Sequence, residues 1–220
     1  MGRGTSKVSG GDTVTSLTIG NDTIDLSDSP LRYGGKDGAL SGKARSVIED
    51  FENKRYKQKT EFSRLIDKDG NIIEENRGGR GSVGASLMAR TEADVLTHNH
   101  PREDGGIGGT FSTGDIHNFN VFNQTTYRAA AKEGTYSITK AKGYDGAGLL
   151  KAMKDHDAKS AKTIKKQAET LTNQYMAGKM DRKQYSKGIA KLNNAYLVST
   201  HDFLLDNQKK YGYNYTLERR

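Results

Sequence analysis

Glycine and charge both change along this sequence near residue 150. Residues 1–150 contain 23 of the 26 glycines and equal numbers of basic and acidic side chains, 20 of each. Residues 151–220 contain 15 basic and seven acidic side chains, so the net charge of +8 lies entirely there. Because glycine favours turns over helix interiors, this division predicts a neutral, turn-rich first part and a basic, helical second part. The pI near 9.4 would suggest nucleic-acid binding, but it reflects the second part alone.

Cysteine is absent from the sequence, which limits the kinds of metal, redox and catalytic site that the chain can form. A disulfide framework, a thiolate zinc site and a cysteine nucleophile are excluded, so histidine, aspartate or glutamate would have to hold any metal. No apolar run reaches the ~18 residues that a membrane span needs, and no secretory signal pattern opens the sequence. We therefore expect no membrane partner and a location in the cytoplasm.

The spacing of apolar residues predicts an α/β protein with three segments. Residues 1–38 are expected to form a flexible arm with one weak hairpin, residues 39–145 an α/β domain, and residues 146–220 a basic helical hairpin with a terminal strand. The expected elements are a helix over 42–58 capped by Ser41, a strand, turn and strand over 61–73, a helix over 115–123, a hairpin over 125–140, helices from Gly148 and from Asp181 separated by Gly178, and a strand over 211–217.

The segment His98-Asn99-His100-Pro101 carries the strongest chemical signal in the sequence. In an extended strand, residues two apart face the same side, so both imidazoles can reach one ion. Pro101 would end the strand directly after the second ligand, and Asp115 could return as a third, oxygen ligand. Two histidines and one carboxylate leave one tetrahedral position for water, which is the arrangement of a catalytic zinc site. The expected cofactor is therefore Zn²⁺.

The five histidines are also compatible with roles other than metal binding. A His-x-His pair also occurs on exposed strands without a metal, but here Ser112-x-x-Asp115 follows it in glycine-rich surroundings, which favours the metal site. His117 lies two residues past Asp115 on an expected helix and should point elsewhere. His156 and His201 fall in the expected C-terminal helices and are interpreted as structural or exposed.

His98-Asn-His100-Pro followed by Ser112-x-x-Asp115 resembles the metal signature of the JAMM/MPN (JAB) metalloproteases, in the form of bacterial RadC-like and phage- or toxin-associated members. The resemblance covers about residues 61–140. It implies a JAB/MPN-like sheet flanked by helices and a zinc-dependent peptidase or isopeptidase. The substrate would be a protein, such as the tail of a ubiquitin-like partner or a processing site in a toxin or phage structural protein. Delivery as part of a phage or toxin system is the implied alternative to the cytoplasm.

The resemblance also implies a role for each residue of the site. His98, His100 and Asp115 would bind zinc, and Ser112 would donate a hydrogen bond to the oxyanion of the tetrahedral intermediate. Family members carry a catalytic glutamate on a strand upstream of the histidines. Glu61 is the best match, because a strand, a turn and a second strand follow it.

Two of these assignments have alternatives, and one spacing departs from the family. Ser112 could instead cap the following helix. Glu61 could be an exposed strand residue, with another carboxylate acting as the base: Glu74, Glu75 or Glu92. Eleven residues separate His100 from Ser112, which is longer than usual in the family. Residues 102–110 are therefore interpreted as a glycine-rich insertion that could remodel the substrate groove.

Two further functions are compatible with the sequence. The chain could be a non-catalytic interaction or assembly module that keeps the fold, or a DNA-associated protein of RadC-like type. Basic residues recur at near-helical spacing over 162–191. They form either a solvated helix face or a docking surface for an acidic protein partner or nucleic acid.

Overall fold

The computed structural model describes residues 31–36, 38–40, 42–101 and 107–220, together with the backbone of two short strands at 16–19 and 22–25. Ser41, most of the predicted arm and residues 102–106 of the predicted insertion lie outside the described residues. The two short strands, β1 (Ser16–Ile19) and β2 (Asp22–Asp25), pair with each other in antiparallel fashion and confirm the predicted hairpin.

Six further strands form one mixed sheet. They are β3 (Phe62–Ile66), β4 (Ile72–Arg77), β5 (Val95–Asn99), β6 (Thr126–Ala130), β7 (Gly134–Lys140) and β8 (Tyr213–Arg219). Their order across the sheet is β4-β3-β5-β6-β7-β8. The central pair β5–β6 is parallel, and the other neighbours are antiparallel.

Six helices accompany the sheet in the described part of the chain. They are α1 (Gly42–Arg55), α2 (Leu87–Glu92), α3 (Thr113–Val121), α4 (Gly146–Met176), α5 (Arg182–Asp206) and the short α6 (Gln208–Tyr211). The α/β class predicted from the sequence is confirmed. Among the described residues, none of the helices combines the length and the apolar character needed to cross a membrane.

The predicted helical hairpin is present as α4 and α5. Gly178 lies between the two helices with φ +67°, a left-handed conformation that favours glycine. Asp181 then caps α5, because its carboxylate accepts a hydrogen bond from the Gln184 amide while the Gln184 side chain accepts one from the Asp181 amide.

Helices cover both faces of the sheet. On one face, Ile48 of α1 packs with Ile66 and Val95. Val95 and Leu96 are neighbours in β5 and point to opposite faces. Leu96 belongs to a larger cluster on the other face, to which α3, α4 and α5 contribute Ile116, Phe119, Leu149, Met153 and Leu204.

Both ends of the segment predicted as a separate C-terminal unit belong to this larger cluster. Leu149 and Leu204 are fully buried in it, and β8 pairs with β7 over the whole length of both strands. Only the distal part of the hairpin has a small core of its own, around Leu171 and Leu192. The predicted boundary between residues 145 and 146 therefore falls inside one continuous core.

The end of the predicted arm also contacts the sheet. The amide of Gly34 donates to the carbonyl oxygen of Leu217 at 2.9 Å, and Gly34 forms a parallel bridge with Glu218. Arg32 forms an ion pair with Asp202 of α5 at 2.8 Å. Residues 31–36 therefore lie against β8 and α5.

A buried group of charges lies on the α1 face. The guanidinium of Arg128 is fully buried and donates to Glu52 at 2.7 Å and to Glu218 at 3.0 Å. The hydroxyl of Thr97 also donates to Glu52, at 3.0 Å. Each buried charge therefore has an opposite charge and hydrogen bonds, which is the condition for keeping charges out of water.

Candidate metal centre

His98 and His100 lie side by side at the end of β5. The strand is central in the sheet, and its residues Val95–Asn99 are all buried. The two Nε2 atoms approach to 2.8 Å, as alternation along the strand predicts for residues i and i+2. Beyond His100, Pro101 has no N–H to continue the ladder, so the regular strand ends there.

Asp115 reaches the two histidines from the first turn of α3. Its Oδ1 lies 3.5 Å from Nε2 of His98, and its Oδ2 lies 3.8 Å from Nε2 of His100. Ligand atoms of the three residues all fall within 4.8 Å of one another, so the group could hold a metal ion. It is the one such group among the described residues. The three ligands predicted from the sequence are therefore brought together.

The electrostatics of the group suit metal binding. Burial lowers the pKa of His98 from 6.5 to about 4, so its imidazole is neutral at pH 7. Burial acts to raise the pKa of Asp115, but the two imidazoles and Ser112 outweigh it and the pKa lies below its usual value. A neutral imidazole and an ionised carboxylate are the forms that coordinate a metal.

The last part of the predicted insertion, around Gly108 and Gly109, orients His100. The Nδ1–H of His100 donates to the carbonyl oxygen of Gly109 at 2.9 Å, which directs Nε2 of the ring to the metal group. Glu133 holds this loop by accepting from the amides of Gly108 and Gly109, each at 2.9 Å. Gly109 has φ +86°, and a Cβ there would meet Leu197 of α5 at 2.6 Å, so the position needs glycine.

Glu61 precedes β3 and faces the same cavity as the candidate ligands. Ser63 pairs with His98 across β3 and β5, so Glu61, two residues before Ser63, lies on the face of the sheet that carries the histidines. The cavity has a volume of about 270 Å³ and is lined by Glu61, His98, His100 and Asp115. Burial is the main cause that raises the pKa of Glu61, with His100 opposing and Asp115 adding to it.

The rival glutamates lie outside this cavity. Glu74 accepts hydrogen bonds from Ser86 and Asn76, and Glu75 is paired with Arg64. Glu92 is exposed at the end of α2. Of the four carboxylates considered from the sequence, Glu61 alone lines the cavity.

Ser112 adopts the alternative role considered for it, as the N-cap of α3. Its hydroxyl accepts from the Asp115 amide at 3.1 Å and donates to the Asp115 carboxylate at 2.7 Å. The backbone amide of Ser112 donates to the same carboxylate at 2.8 Å. Ser112 therefore holds Asp115 in place, and an additional role as oxyanion donor would require its hydroxyl to turn away from Asp115.

The remaining histidines do not join the metal group. His117 is exposed on α3, as expected for a residue two positions after Asp115 on a helix. His201 is fully buried between the hydroxyl of Tyr215 and the carbonyl of Arg32, at 2.8 and 3.0 Å. His156 stacks on Phe203. The structural interpretation of His156 and His201 agrees with these contacts.

Tyr127 and Arg90 also line the cavity and were not singled out from the sequence. Tyr127 is almost fully buried, and its ring centroid lies 5.5 Å from that of His98. Burial, Asp115 and Glu61 raise its pKa, so the phenol keeps its proton at neutral pH. Ala129 pairs with His98, so Tyr127, two residues before it in β6, shares that face.

Comparisons of the chain with protein-family models, with curated proteins and with solved structures each found no match. The structure itself defines a mixed α/β protein with a six-stranded sheet and a His-His-Asp group at the end of its central strand.

Proposed function

We propose that the protein is a zinc-dependent peptidase or isopeptidase with a JAB/MPN-like fold. One observation carries the proposal: a partly buried carboxylate, Glu61, lines the same cavity as three side chains that can hold a metal ion. The residues present fit zinc, because two imidazoles and one carboxylate make a three-ligand site with a further position open.

The protein side chains would divide the work of hydrolysis. Bound zinc would acidify water and polarise the carbonyl group of the scissile bond. Glu61 would accept the proton of the attacking water and transfer it to the leaving amine, and its raised pKa suits a group that must both take and give a proton. Ser112 would keep Asp115 ionised and oriented toward His98 and His100.

The proposed substrate is a protein chain, such as the C-terminal tail of a ubiquitin-like partner or a processing site in a toxin or phage structural protein. The cavity is a cleft rather than an enclosed pocket, and α2, whose Arg90 lines it, also carries two exposed apolar side chains, Leu87 and Met88. The proposed location is the cytoplasm, or delivery as part of a phage or toxin system.

The distal part of the α4–α5 hairpin is the proposed partner surface. Its lysines face solvent on both helices, among them Lys162, Lys165, Lys166, Lys183 and Lys187. This part of the hairpin has a small core of its own, around Leu171 and Leu192. A surface of this charge would dock on an acidic protein partner or on nucleic acid.

A non-catalytic assembly module is the second candidate, and Ser112 favours it. The hydroxyl proposed as oxyanion donor is already committed to Asp115 on the edge of the cavity. A module of this kind would keep the metal for stability and show no hydrolysis.

The test compares the zinc-loaded wild type with Glu61→Gln and with Glu75→Gln as the matched control. Substrates are a ubiquitin-like C-terminal fusion and proteins that co-purify with Glu61→Gln. Glu61→Gln should retain zinc and lose ~10²-fold or more in rate, the weight of one proton-transfer role. Glu75→Gln should match the wild type, since Glu75 pairs with Arg64 away from the cavity. Cleavage by Glu61→Gln at the wild-type rate would remove Glu61 as the base, and no cleavage by zinc-loaded wild type would favour the assembly module.

A further inference from the structure

Asn99 lies between the two histidines in the sequence, and its side chain is fully buried. Its Oδ1 accepts a hydrogen bond from the backbone amide of Phe62 at 2.7 Å. Its Nδ2 donates to the backbone carbonyl of Thr60 at 3.0 Å. The side chain of Asn99 therefore holds the two peptide groups on either side of Glu61.

The backbone of Glu61 is bonded on its other side as well. Its amide donates to the carbonyl of Gly79 at 2.7 Å, and its carbonyl accepts from the amide of Gly78 at 2.8 Å. Glu61 is thus fixed between a loop that continues β4 and the amide of Asn99. The loop does not belong to β5, whereas Asn99 is the last residue of β5 and lies directly between His98 and His100.

The end of the β3–β5 ladder explains why an amide is needed here. Regular pairing of the two strands ends at Ser63 and His98. One residue further on, a carboxamide supplies one donor and one acceptor, as a peptide group would. It satisfies Phe62 and Thr60 where the ladder has stopped, and so extends the connection between the strands past Glu61.

We propose that Asn99 is the positioning residue that sets the place of Glu61 relative to His98 and His100. The inference rests on the proposed function, in which Glu61 is the general base. Asn99 does not touch the substrate or the ion; it acts through the backbone on either side of Glu61. Loss of its amide should therefore reduce kcat and leave zinc binding and KM nearly unchanged.

The first test is a double-mutant cycle with Asn99→Leu and Glu61→Gln in the full, zinc-loaded chain. Leucine is similar in size and uncharged but cannot form either hydrogen bond. Asn99→Leu should lower kcat by about 10–10²-fold, because misplacement of a catalytic group by about 1 Å costs that much. In the Glu61→Gln background it should cost nothing further, since the group it positions is already inactive. An equal loss in both backgrounds would contradict the proposal.

Asn120→Leu is the matched control. Asn120 also makes one bond as acceptor, from the Tyr144 hydroxyl at 2.6 Å, and one as donor, to the Gly146 carbonyl at 2.7 Å. It joins α3 to the start of α4, away from Glu61. Asn120→Leu should lower thermal stability as Asn99→Leu does and leave kcat unchanged. An equal fall of kcat in the two variants would mean that Asn99 matters for stability alone.

A second readout needs no substrate. With ¹³C-labelled glutamate, the Glu61 carboxyl resonance is identified by its absence in Glu61→Gln, and its shift on adding zinc is measured at fixed pH. The wild type and Asn120→Leu should show this shift, and Asn99→Leu should lose most of it. A full shift in Asn99→Leu, or none in the wild type, would overturn the inference. If the three proteins show the expected carboxyl shifts but the zinc-loaded wild type cleaves no substrate, the proposed function alone would be contradicted. If Asn99→Leu does not fold, Asn99→Ser replaces it, because serine leaves room for a water molecule. The same loss of the Glu61 carboxyl shift is then expected.

Discussion

The Nδ1–H of His100 donates a hydrogen bond to the carbonyl oxygen of Gly109 at 2.9 Å, and this contact joins the candidate metal centre to a loop held by Glu133. Gly108 and Gly109 belong to the last part of the predicted insertion, so the insertion itself sets the orientation of His100. Outer partners of this kind fix the tautomer and direction of a ligating imidazole.

Glu133→Gln should weaken zinc binding. A glutamine side chain can accept from only one of the two amides of Gly108 and Gly109, so the loop would loosen and His100 would lose its fixed orientation. Changes at such positions typically cost ~10–100-fold in metal affinity. Competition with a chromogenic chelator measures the loss. Glu169→Gln, on the distal hairpin, serves as the control, and equal affinities in wild type and Glu133→Gln would contradict the assignment.

Arg128→Met should strongly destabilise the protein. The substitution removes the buried guanidinium that pairs with both Glu52 and Glu218, and breaking a buried ion pair in this way typically costs ~3–5 kcal/mol. Denaturant unfolding followed by circular dichroism gives the free energy of unfolding. Lys151→Met removes an exposed i,i+4 pair with Asp155 and should have little effect. A stable Arg128→Met variant would show that the cluster contributes little to stability.

Deletion of residues 151–220 should abolish folding as well as zinc binding. The deletion removes β8, which pairs with β7, and also Met153 and Leu204 from the main core. The sequence alone, by contrast, predicts residues 146–220 as a segment distinct from the α/β domain of residues 39–145. Circular dichroism and zinc content of the remaining fragment, residues 1–150, provide the measurement. A folded fragment that still binds zinc would restore the boundary predicted from the sequence.

The metal-free protein should lose stability as the pH falls from 6.5 towards 4. The unfolded chain protonates His98 near pH 6.5, whereas burial holds the pKa in the folded protein at about 4, so protons favour the unfolded state within this window. A shift of this size corresponds to about 3 kcal/mol in the free energy of unfolding. This contribution is present in full above pH 6.5 and is lost as the pH falls to about 4. Chemical unfolding at several pH values measures it. His98→Asn should make the free energy of unfolding nearly independent of pH between 6.5 and 4, and His117→Gln should leave the pH dependence of the wild type. An unchanged pH dependence in His98→Asn would contradict the prediction.

Local patterns in the sequence predicted the parts of the site that depend on local geometry. His98 and His100 share a face because strand alternation is a property of one strand, and α4 and α5 follow from helical periodicity, Gly178 and Asp181. The helix that carries Asp115 begins two residues earlier than predicted, because Ser112 caps it.

Contacts between distant segments could not be predicted in the same way. The place of Tyr127 depends on the parallel register of β5 and β6, and that of Asn99 on where the β3–β5 ladder ends. Leu149 and Met153 lie four residues apart, so they share one face of a helix, but this spacing is equally compatible with packing against α5 and against the sheet. Only the assembled fold shows that these two side chains complete the main core.

Zinc content of the purified wild-type chain tests the central claim most directly. Inductively coupled plasma mass spectrometry on protein prepared without chelator should give one zinc per chain, because His98, His100 and Asp115 converge on one point. The double substitution His98→Ala with His100→Ala should abolish stoichiometric zinc, and His117→Ala should not. A wild-type chain that carries no zinc, and takes up none at micromolar concentrations, would contradict the account.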